Sequence, residues 1–149
     1  MFKKICIIGC GLIGSSLARA IKKNNLAEKI VSSNRSDALN KKVIELKIVD
    51  DSSSDTKKMV DGSDLVVIAT PLSSYEDVIS KIKNSLKNGV ILTDVGSVKG
   101  NVINLIEKNI SESISWIPSH PIAGTEESGP GAGFSELFQN RWCILTPSK

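Results

Sequence analysis

Short apolar runs alternate with amphipathic stretches along the whole chain. The runs predict buried strands at residues 5–8, 29–33, 64–69, 90–94, 115–118 and 142–145. The stretches between them carry apolar residues at helical spacing, which predicts helices over 12–24, 37–46, 73–86, 98–109 and 135–139. Residues 50–56 are polar and predict a turn, and the Pro-, Gly- and Ser-rich stretch 118–133 predicts a loop.

The alternation of strands and helices predicts the fold class. Parallel strands joined by right-handed crossovers form a doubly wound sheet with helices on both faces. We therefore expect a mostly parallel α/β fold of the Rossmann type. The 149 residues fit a single domain, 1–149, and no composition shift marks a boundary inside it.

Composition and charge exclude two classes of partner. The chain is 40% apolar and 23% charged, which is typical of a folded protein. Its net charge of +3 is too small an excess to indicate nucleic-acid binding. No apolar run approaches the roughly 18–20 residues of a spanning helix, so we expect no membrane association.

The three cysteines, Cys6, Cys10 and Cys143, show no disulfide framework. Their odd number favours a reducing compartment, and the N-terminal residues predict a strand rather than a targeting segment, so we expect a cytoplasmic protein. The spacing of Cys6 and Cys10 lacks the C-x2-C pattern of a zinc site, so no metal is expected. We expect Cys6 and Cys143 to be buried as small apolar side chains.

A G-x-G-x-x-G motif occupies residues 9–14, directly after a predicted strand and at the start of a helix. This context is the one in which the motif binds a dinucleotide. Gly9 permits the tight turn, and Gly11 lets the backbone approach a pyrophosphate. Gly14 lets the helix pack closely on the strand. The helix N-terminus supplies N–H groups and partial positive charge. The candidate cofactor-binding residues here are Gly9, Gly11, Leu12, Ile13 and Gly14.

The end of the second predicted strand bears on the choice of cofactor. NAD enzymes commonly place an acidic residue there to bond the ribose 2′-OH, but this chain has Asn34, Arg35 and Ser36. Asn34 carries no charge that would repel a 2′-phosphate. The guanidinium of Arg35 can form a bidentate hydrogen bond to such a phosphate, and the Ser36 hydroxyl can donate to it. NADP is therefore favoured. NAD stays possible, with Asn34 on the 2′-OH and Arg35 stacked on the adenine or at the surface.

Ala69, Thr70 and Pro71 end the strand on the other side of the expected switch point. Ligands of open parallel sheets bind beyond the strand ends at that point, which makes these three residues candidates for cofactor binding. The alternative is that Thr70 and Pro71 only terminate the strand.

Ser97 lies at the predicted N-terminus of the helix over 98–109. Its hydroxyl is either a helix cap or a polar group directed into the cleft. Lys99 follows in the first helical turn, where it opposes the helix dipole. Lys99 is therefore expected to meet an anion or a carboxylate, with a solvated lysine as the alternative.

His120 is the only histidine, and it lies in the Pro- and Gly-framed loop after a short strand. Neutral imidazole can accept a proton near pH 7, so His120 is a candidate base at the ligand edge of the sheet. A packed or surface histidine is the alternative. Thr125 and Glu126 follow in the same loop.

These motifs occur in one order along the chain. They are the fingerprint with Ser15-Ser16, then Ala69-Thr70-Pro71, Asp94-Val95-Gly96-Ser97-Val98-Lys99, His120-Pro121-Ile122-Ala123-Gly124-Thr125-Glu126, Phe134-x2-Leu137-Phe138 and Leu145-Thr146-Pro147. Together they resemble the prephenate and arogenate dehydrogenases of tyrosine biosynthesis over essentially the whole chain. The fingerprint is shared by many dehydrogenases, whereas the Gly-Ser-Val-Lys and His-Pro motifs are more specific.

The resemblance implies an oxidative decarboxylation of prephenate or arogenate. Hydride leaves ring C4 for nicotinamide, the 4-hydroxyl loses its proton, and CO2 departs as the ring becomes aromatic. By motif match His120 accepts the hydroxyl proton. Ser97 bonds the substrate hydroxyl or His120 and helps to order the nicotinamide, and Thr125 and Glu126 lie on the substrate side.

The resemblance also implies a part that this sequence lacks. Family members carry a helical second domain after the Leu-Thr-Pro strand, which forms the homodimer and supplies a basic residue for the substrate carboxylate. Here the sequence stops at Lys149, and Arg141 and Lys99 are the only nearby basic candidates. The alternatives are a dinucleotide-binding module without turnover, or another reductase of this fold such as a β-hydroxyacid dehydrogenase.

Overall fold

The computed structural model describes residues 1–147 and contains a six-stranded sheet built largely from the apolar runs. Its strands are β1 (Phe2–Ile8), β2 (Ala27–Ser33), β3 (Asp51–Ser53), β4 (Leu65–Ile68), β5 (Ile91–Asp94) and β6 (Ser115–Ile117). Neighbouring strands are parallel and lie in the order β3-β2-β1-β4-β5-β6. The predicted doubly wound sheet is confirmed, with its switch point between β1 and β4.

Helices cover both faces of this sheet. Those in the described residues are α1 (Leu12–Lys23), α2 (Asp37–Glu45), α3 (Thr56–Val60), α4 (Tyr75–Ile82) and α5 (Gly100–Glu107). Successive strand residues point to opposite faces. Cys6 and Ile8 pack in the core with α3, α4 and α5, whereas Ile5 and Ile7 pack in the core with α1 and α2.

The segment predicted as a polar turn, residues 50–56, instead contains β3 and the start of α3. β3 is an edge strand of polar residues, so its sequence carries no hydrophobic pattern. It forms because its backbone pairs with β2, and the hydroxyls of Ser32 and Ser52 bond at 2.7 Å. The Asp55 carboxylate caps α3 by accepting from Lys58 N at 3.1 Å.

A second sheet consists of β7 (Ser119–Pro121) and β8 (Cys143–Leu145), which pair antiparallel with His120 opposite Ile144. The sequence predicts β8, but it predicts a loop where β7 lies, and that prediction is wrong. Three residues ending in proline carry no strand signal of their own, and β7 exists because β8 returns to supply its hydrogen bonds.

Apolar side chains near β8 lie on the surface. Trp142 is 83% exposed, Ile144 is 51% exposed and Leu145 is 58% exposed. Cys143 is exposed as well, so the expectation that it is buried is wrong, whereas Cys6 is buried as predicted. The error arises because all of β8 lies outside the main sheet with its side chains uncovered.

Two predicted helix starts move toward the C-terminus. Residues Leu72–Ser74 form a 3₁₀ turn, so the helix predicted from residue 73 begins at Tyr75 as α4, without a side-chain cap. α5 begins at Gly100 with Lys99 as its N-cap, so Ser97 does not cap it. Hydrogen bonds from the loop 95–99 to Asp94 hold that loop out of the helix.

The helix predicted over 135–139 is absent from the described structure, which has a series of turns there. Their backbone bonds run from residue i to i−3, as from Gln139 N to Glu136 O at 3.0 Å. A segment this short makes too few intrahelical hydrogen bonds to offset the free-energy cost of nucleating an α-helix.

The loop before these turns packs on the first turns of α1. Phe134 N donates to Ser16 Oγ at 3.1 Å. A Cβ on Gly133 would lie 2.1 Å from Ser15 Oγ, so the approach requires glycine. The last part of the chain therefore covers one side of the helix that follows the fingerprint.

Residues 1–147 contain neither a membrane-spanning helix nor a metal-binding cluster. None of the helices in this range combines the length and apolar character that crossing a bilayer requires. The same residues contain no group of three or more His, Cys, Asp or Glu side chains placed to hold a metal ion.

Candidate dinucleotide and substrate site

The fingerprint turn lies between the ends of β1 and β4. Gly9 has φ +94°, and a Cβ there would lie 2.8 Å from Ala69 O. A Cβ on Gly14 would lie 2.1 Å from Gly9 O, whereas a Cβ on Gly11 would meet nothing within 4 Å. α1 has no side-chain cap and no acidic residue in its first turn. Its free N–H groups therefore face an open space at Gly11, where an anion can approach.

Asn34, at the end of β2, is buried and points into the protein. Its Oδ1 accepts from Cys10 N at 2.7 Å, and its Nδ2 donates to Asn40 Oδ1 at 3.0 Å. Ser32 Oγ and Ser52 Oγ lie 3.2 Å from the same nitrogen. The amide thus ties the fingerprint turn to β2, β3 and α2, and its polar atoms already have partners inside the protein.

The two residues after Asn34 are exposed. Ser36 is the N-cap of α2, and its hydroxyl accepts from Leu39 N at 3.4 Å. Arg35 lines the cavity described next, so its guanidinium is available to a ligand.

A cavity of about 530 Å³ lies at the switch point. Of the predicted cofactor-binding residues, it is lined by Gly9, Gly11, Asn34, Arg35, Ala69, Thr70 and Pro71. Its lining also includes polar residues that the sequence did not single out, namely Ser33, Ser54, Thr56, Ser74, Asp77 and Lys81. These come from β2, the segment between β3 and α3, the start of α3, the 3₁₀ turn Leu72–Ser74 and α4, so only the folded topology brings them to one wall.

Thr70 carries a signal that the cavity is built for a polar ligand. Its Oγ1 is buried and has no hydrogen-bond partner among the described residues. A buried hydroxyl without a partner is costly, and a bound polar group at this wall would satisfy it.

Asp94 ends β5, and its side chain is fully buried. Its Oδ2 accepts from Lys99 Nζ at 2.5 Å, from Tyr75 OH at 3.0 Å and from Gly96 N at 3.0 Å. Its Oδ1 accepts from Ser119 N at 3.1 Å. Lys99 therefore meets a carboxylate, as the sequence predicts. No role for Asp94 itself is predicted in the sequence analysis.

The residues predicted to act on substrate lie beyond this carboxylate. Ser97 is exposed in the loop between Gly96 and Lys99, and His120 is half-buried in β7, next to Ser119. Thr125 and Glu126 are exposed, and Thr125 Oγ1 accepts from Glu127 N at 3.2 Å.

Not all predicted site residues line the cavity. Those outside its lining are Leu12, Ile13, Gly14, Ser36, Ser97, His120, Thr125 and Glu126. The cavity thus contains only the part of the predicted site formed by the fingerprint turn and by the ends of β2 and β4. The Asp94 network joins the segments that carry Ser97 and His120.

Comparisons with known proteins show the family to which the chain belongs. A family model described as prephenate dehydrogenase, nucleotide-binding domain, matches residues 17–149. The chain belongs to this family. Since the whole fingerprint, residues 9–14, lies before residue 17, the match rests on the rest of the fold and on the motifs after it.

Individual members of the family give the same result. The chain is 41% identical over 147 residues to the cyclohexadienyl dehydrogenase of Zymomonas mobilis, covering 99% of this chain and 50% of that protein. A crystal structure of prephenate dehydrogenase from A. aeolicus, in complex with hydroxyphenyl propionate and NAD+, superposes with TM-score 0.91 at 26% identity. That match covers 100% of this chain and 52% of the other.

The Synechocystis arogenate dehydrogenase is similar too, with TM-score 0.89 and 28% identity over 98% of this chain and 50% of that one. The chain thus spans about half the length of the relatives that it matches.

Proposed function

We propose that the chain is the cofactor-binding part of an enzyme that oxidises and decarboxylates prephenate, arogenate or both, in tyrosine biosynthesis. The observation that carries the proposal is the convergence at one sheet edge of the switch-point cavity, the Ser97 loop and the His120 strand. The names of the family and its members support the same substrates. These names argue against the alternative raised in the sequence analysis, in which the chain belongs to a β-hydroxyacid dehydrogenase.

The cavity fits a nicotinamide dinucleotide. The uncapped α1 N-terminus, the open space at Gly11 and the unpartnered Thr70 hydroxyl suit a pyrophosphate and a ribose. When bound, the nicotinamide supplies an acceptor for the hydride. Leu12, Ile13 and Gly14 contribute the first turn of α1, and Ala69 and Pro71 contribute the opposite wall of the cavity.

NADP is the cofactor that we propose as preferred. The side-chain amide of Asn34 already makes hydrogen bonds inside the protein, so it is poorly placed to bind the ribose. The next residue, Arg35, is exposed and lines the cavity. Lys81 adds a second cation to the lining, although Asp77 lies there too. A 2′-phosphate would be attracted to Arg35, and Ser36 could donate to it.

His120 is proposed to move one proton. It accepts the proton of the substrate's ring hydroxyl while ring C4 loses its hydride. The proton returns to that oxygen when loss of the carboxylate as CO2 makes the ring aromatic, so proton uptake and release balance. Ser97 holds the hydroxyl or the imidazole in place, and Thr125 and Glu126 face the substrate. Aromatisation drives the reaction, so positioning and one base suffice.

The test is turnover by the full-length gene product. With prephenate and arogenate as substrates, we expect reduction of NADP+ or NAD+, followed at 340 nm as a readout of the reduced nicotinamide. His120→Asn should lower kcat by about 10²–10⁴-fold, the usual contribution of a general base. Oxidation of neither substrate would refute the proposal, and unchanged turnover in His120→Asn would refute the mechanism.

The cofactor preference has its own test. Arg35→Ala should weaken NADP+ binding by about 10- to 150-fold, the range for one hydrogen bond to a charged group, and should weaken NAD+ binding much less. Lys42→Ala is the matched control, because Lys42 is an exposed cation of α2 that does not line the cavity. Equal losses for the two cofactors, measured by titration calorimetry, would remove the 2′-phosphate role.

A second candidate function is dinucleotide binding without turnover by residues 1–149 alone. The supporting observation is that the chain spans half the length of its relatives. We propose that a helical domain packs on the exposed apolar side chains of Trp142, Ile144 and Leu145, forms a homodimer and supplies the basic group for the substrate carboxylate. Appreciable turnover by residues 1–149 alone would refute this division of labour.

We also propose a cytoplasmic location. The supporting observation is that Cys6, Cys10 and Cys143 are all free thiols. Fractionation of cells that express a tagged full-length gene product would test it, and recovery outside the cytoplasmic fraction would refute it.

A further inference from the structure

The Asp94 carboxylate joins two segments that are far apart in sequence. One is the loop from Gly96 to Lys99, which it contacts through Gly96 N and Lys99 Nζ. The other is the start of β7, which it contacts through Ser119 N, 25 residues away. Every one of these groups donates, and the carboxylate is the single acceptor that they share.

The loop side of the network is fixed at both ends. A Cβ on Gly96 would lie 2.8 Å from Leu72 Cδ2 and 3.0 Å from Tyr75 OH, so the backbone is packed tightly against α4 and the turn before it. Lys99 is 14% exposed at its side chain, with its ammonium on the carboxylate. Ser97 lies between these two anchored residues, so its backbone position depends on both.

The strand side is fixed by two bonds from one residue. Ser119 N donates to Asp94 Oδ1 at 3.1 Å, and Ser119 Oγ donates to the Asp94 carbonyl oxygen. Thr93 Oγ1 adds a bond to Ile117 O at 2.7 Å. His120 is the next residue after Ser119, so its Cα is set by the same carboxylate that sets the Ser97 loop.

Only a carboxylate satisfies this set of donors. It offers two acceptor oxygens and the negative charge that the part-buried Lys99 ammonium requires. Burial, and then the charge of Asp94, raise the pKa of Tyr75, so its phenol stays a donor. An asparagine would place an NH2 group against one of these donors and would leave Lys99 without its counter-charge.

We propose that Asp94 is a positioning residue of the reaction, which holds Ser97 and His120 in one fixed relative arrangement at the edge of the cofactor cavity. It touches neither cofactor nor substrate and acts through the Gly96–Lys99 loop and through Ser119. The inference rests on the proposed function, because it assigns Ser97 and His120 to the reaction.

The test compares Asp94→Asn with Asp64→Asn in the full-length gene product. Asp64 is a less buried carboxylate just before β4, at the other end of the strands, and like Asp94 it accepts from a lysine ammonium and a backbone N–H, namely Lys87 Nζ at 2.5 Å and Lys3 N at 2.6 Å. We expect Asp94→Asn to lower kcat about 100-fold or more, the effect of small misplacements of reacting groups. Its Kd for the dinucleotide should stay within about threefold, and Asp64→Asn should leave kcat unchanged.

Tyr75→Phe keeps the test decisive if Asp94→Asn does not fold, since it removes one hydrogen bond and keeps the ion pair. It should lower kcat between about twofold and tenfold. A kcat equal to the wild-type value in every folded variant would overturn the inference. So would equal losses in kcat and in dinucleotide affinity, which a purely structural role would produce.

A second readout does not depend on turnover. His120 is the only histidine of the 149 residues, so the Hε1 proton of its imidazole gives a single NMR signal in this chain. Asp94→Asn should shift and broaden that signal, whereas Asp64→Asn should not. An inactive wild-type enzyme would refute the proposed function alone. An unchanged His120 signal in Asp94→Asn would refute the positioning role.

Discussion

Replacing Gly11 by alanine should weaken dinucleotide binding and spare the fold, whereas the same replacement at Gly14 should destabilise the fold. A Cβ at Gly11 meets nothing within 4 Å, but a Cβ at Gly14 lies 2.1 Å from Gly9 O. The closest contacts real Cβ atoms make are near 3.0 Å, so α1 and the turn must separate by about 1 Å.

The expected magnitudes follow from these contacts. Overpacking costs about 1–3 kcal/mol, so Gly14→Ala should lower the melting temperature by roughly 2–12 °C. Gly11→Ala removes no side-chain capping bond but places a less favoured residue at the N-cap, so it should lower the unfolding free energy by no more than about 1 kcal/mol. Its methyl group occupies the space left for the pyrophosphate. Loss of one charge-assisted hydrogen bond would weaken binding about 10- to 150-fold.

Urea denaturation and titration calorimetry with NAD+ and NADP+ separate the two effects. Gly100→Ala is the matched control, because Gly100 is the first residue of α5 and a Cβ there also meets nothing within 4 Å. It should leave stability unchanged or raise it. Wild-type dinucleotide affinity in Gly11→Ala would refute the assigned phosphate approach. A Gly14→Ala variant as stable as Gly100→Ala would refute the packing argument.

Three further predictions concern thiols, acid and the β2 end. Burial raises the pKa of Cys6 to about 12 and that of Cys10 to about 11, whereas Cys143 is exposed. A disulfide reagent should therefore label one thiol rapidly in the folded 149-residue chain and none in Cys143→Ser, and labelling of two or more would contradict the burial. The hydrogen bond from Lys87, and then those from Lys4 N and Lys3 N, lower the pKa of Asp64 to about 2. Because the folded pKa is depressed, this stabilisation is present above the unfolded pKa of about 3.9 and is lost as the pH falls toward 2. The stability difference between wild type and Asp64→Asn in urea should thus shrink between about pH 4 and pH 2, and a constant difference would argue against the bonds. Asn34→Ala should cost about 1–3 kcal/mol of unfolding free energy, because it leaves the buried Cys10 N–H without its acceptor, and a neutral result would mean that the turn finds another partner.

The main sheet could be predicted because its central strands are apolar on both faces. Residues 5–8 and 65–69 are continuous apolar runs, followed by Gly9 and by Thr70-Pro71, and such runs have few alternatives in a chain of this length. The glycine spacing then placed the cofactor turn. Local sequence was sufficient wherever hydrophobic burial decides the structure.

The parts that escaped prediction depend on hydrogen bonds between distant segments. β3 and β7 are three residues each and exist because a partner strand pairs with them. The inward role of Asn34 depends on Cys10 and Asn40, and the role of Asp94 depends on Ser119. No local pattern encodes such partners, because a polar residue at a strand end has the same sequence signal whether it faces ligand or protein.

The contact between Phe134 N and Ser16 Oγ closes a loop of 118 residues. Made alone in an unfolded chain, that closure would cost about 4 kcal/mol in chain entropy, before any constant term. Once the sheet has formed, most of this cost has been met by the strand pairings in between. α1 is made early during synthesis, but one side of its first turns stays uncovered until Gly133 and Phe134 have been added. The helix proposed to hold the phosphates therefore begins to form early, and the contact that covers its first turns depends on prior assembly of the sheet.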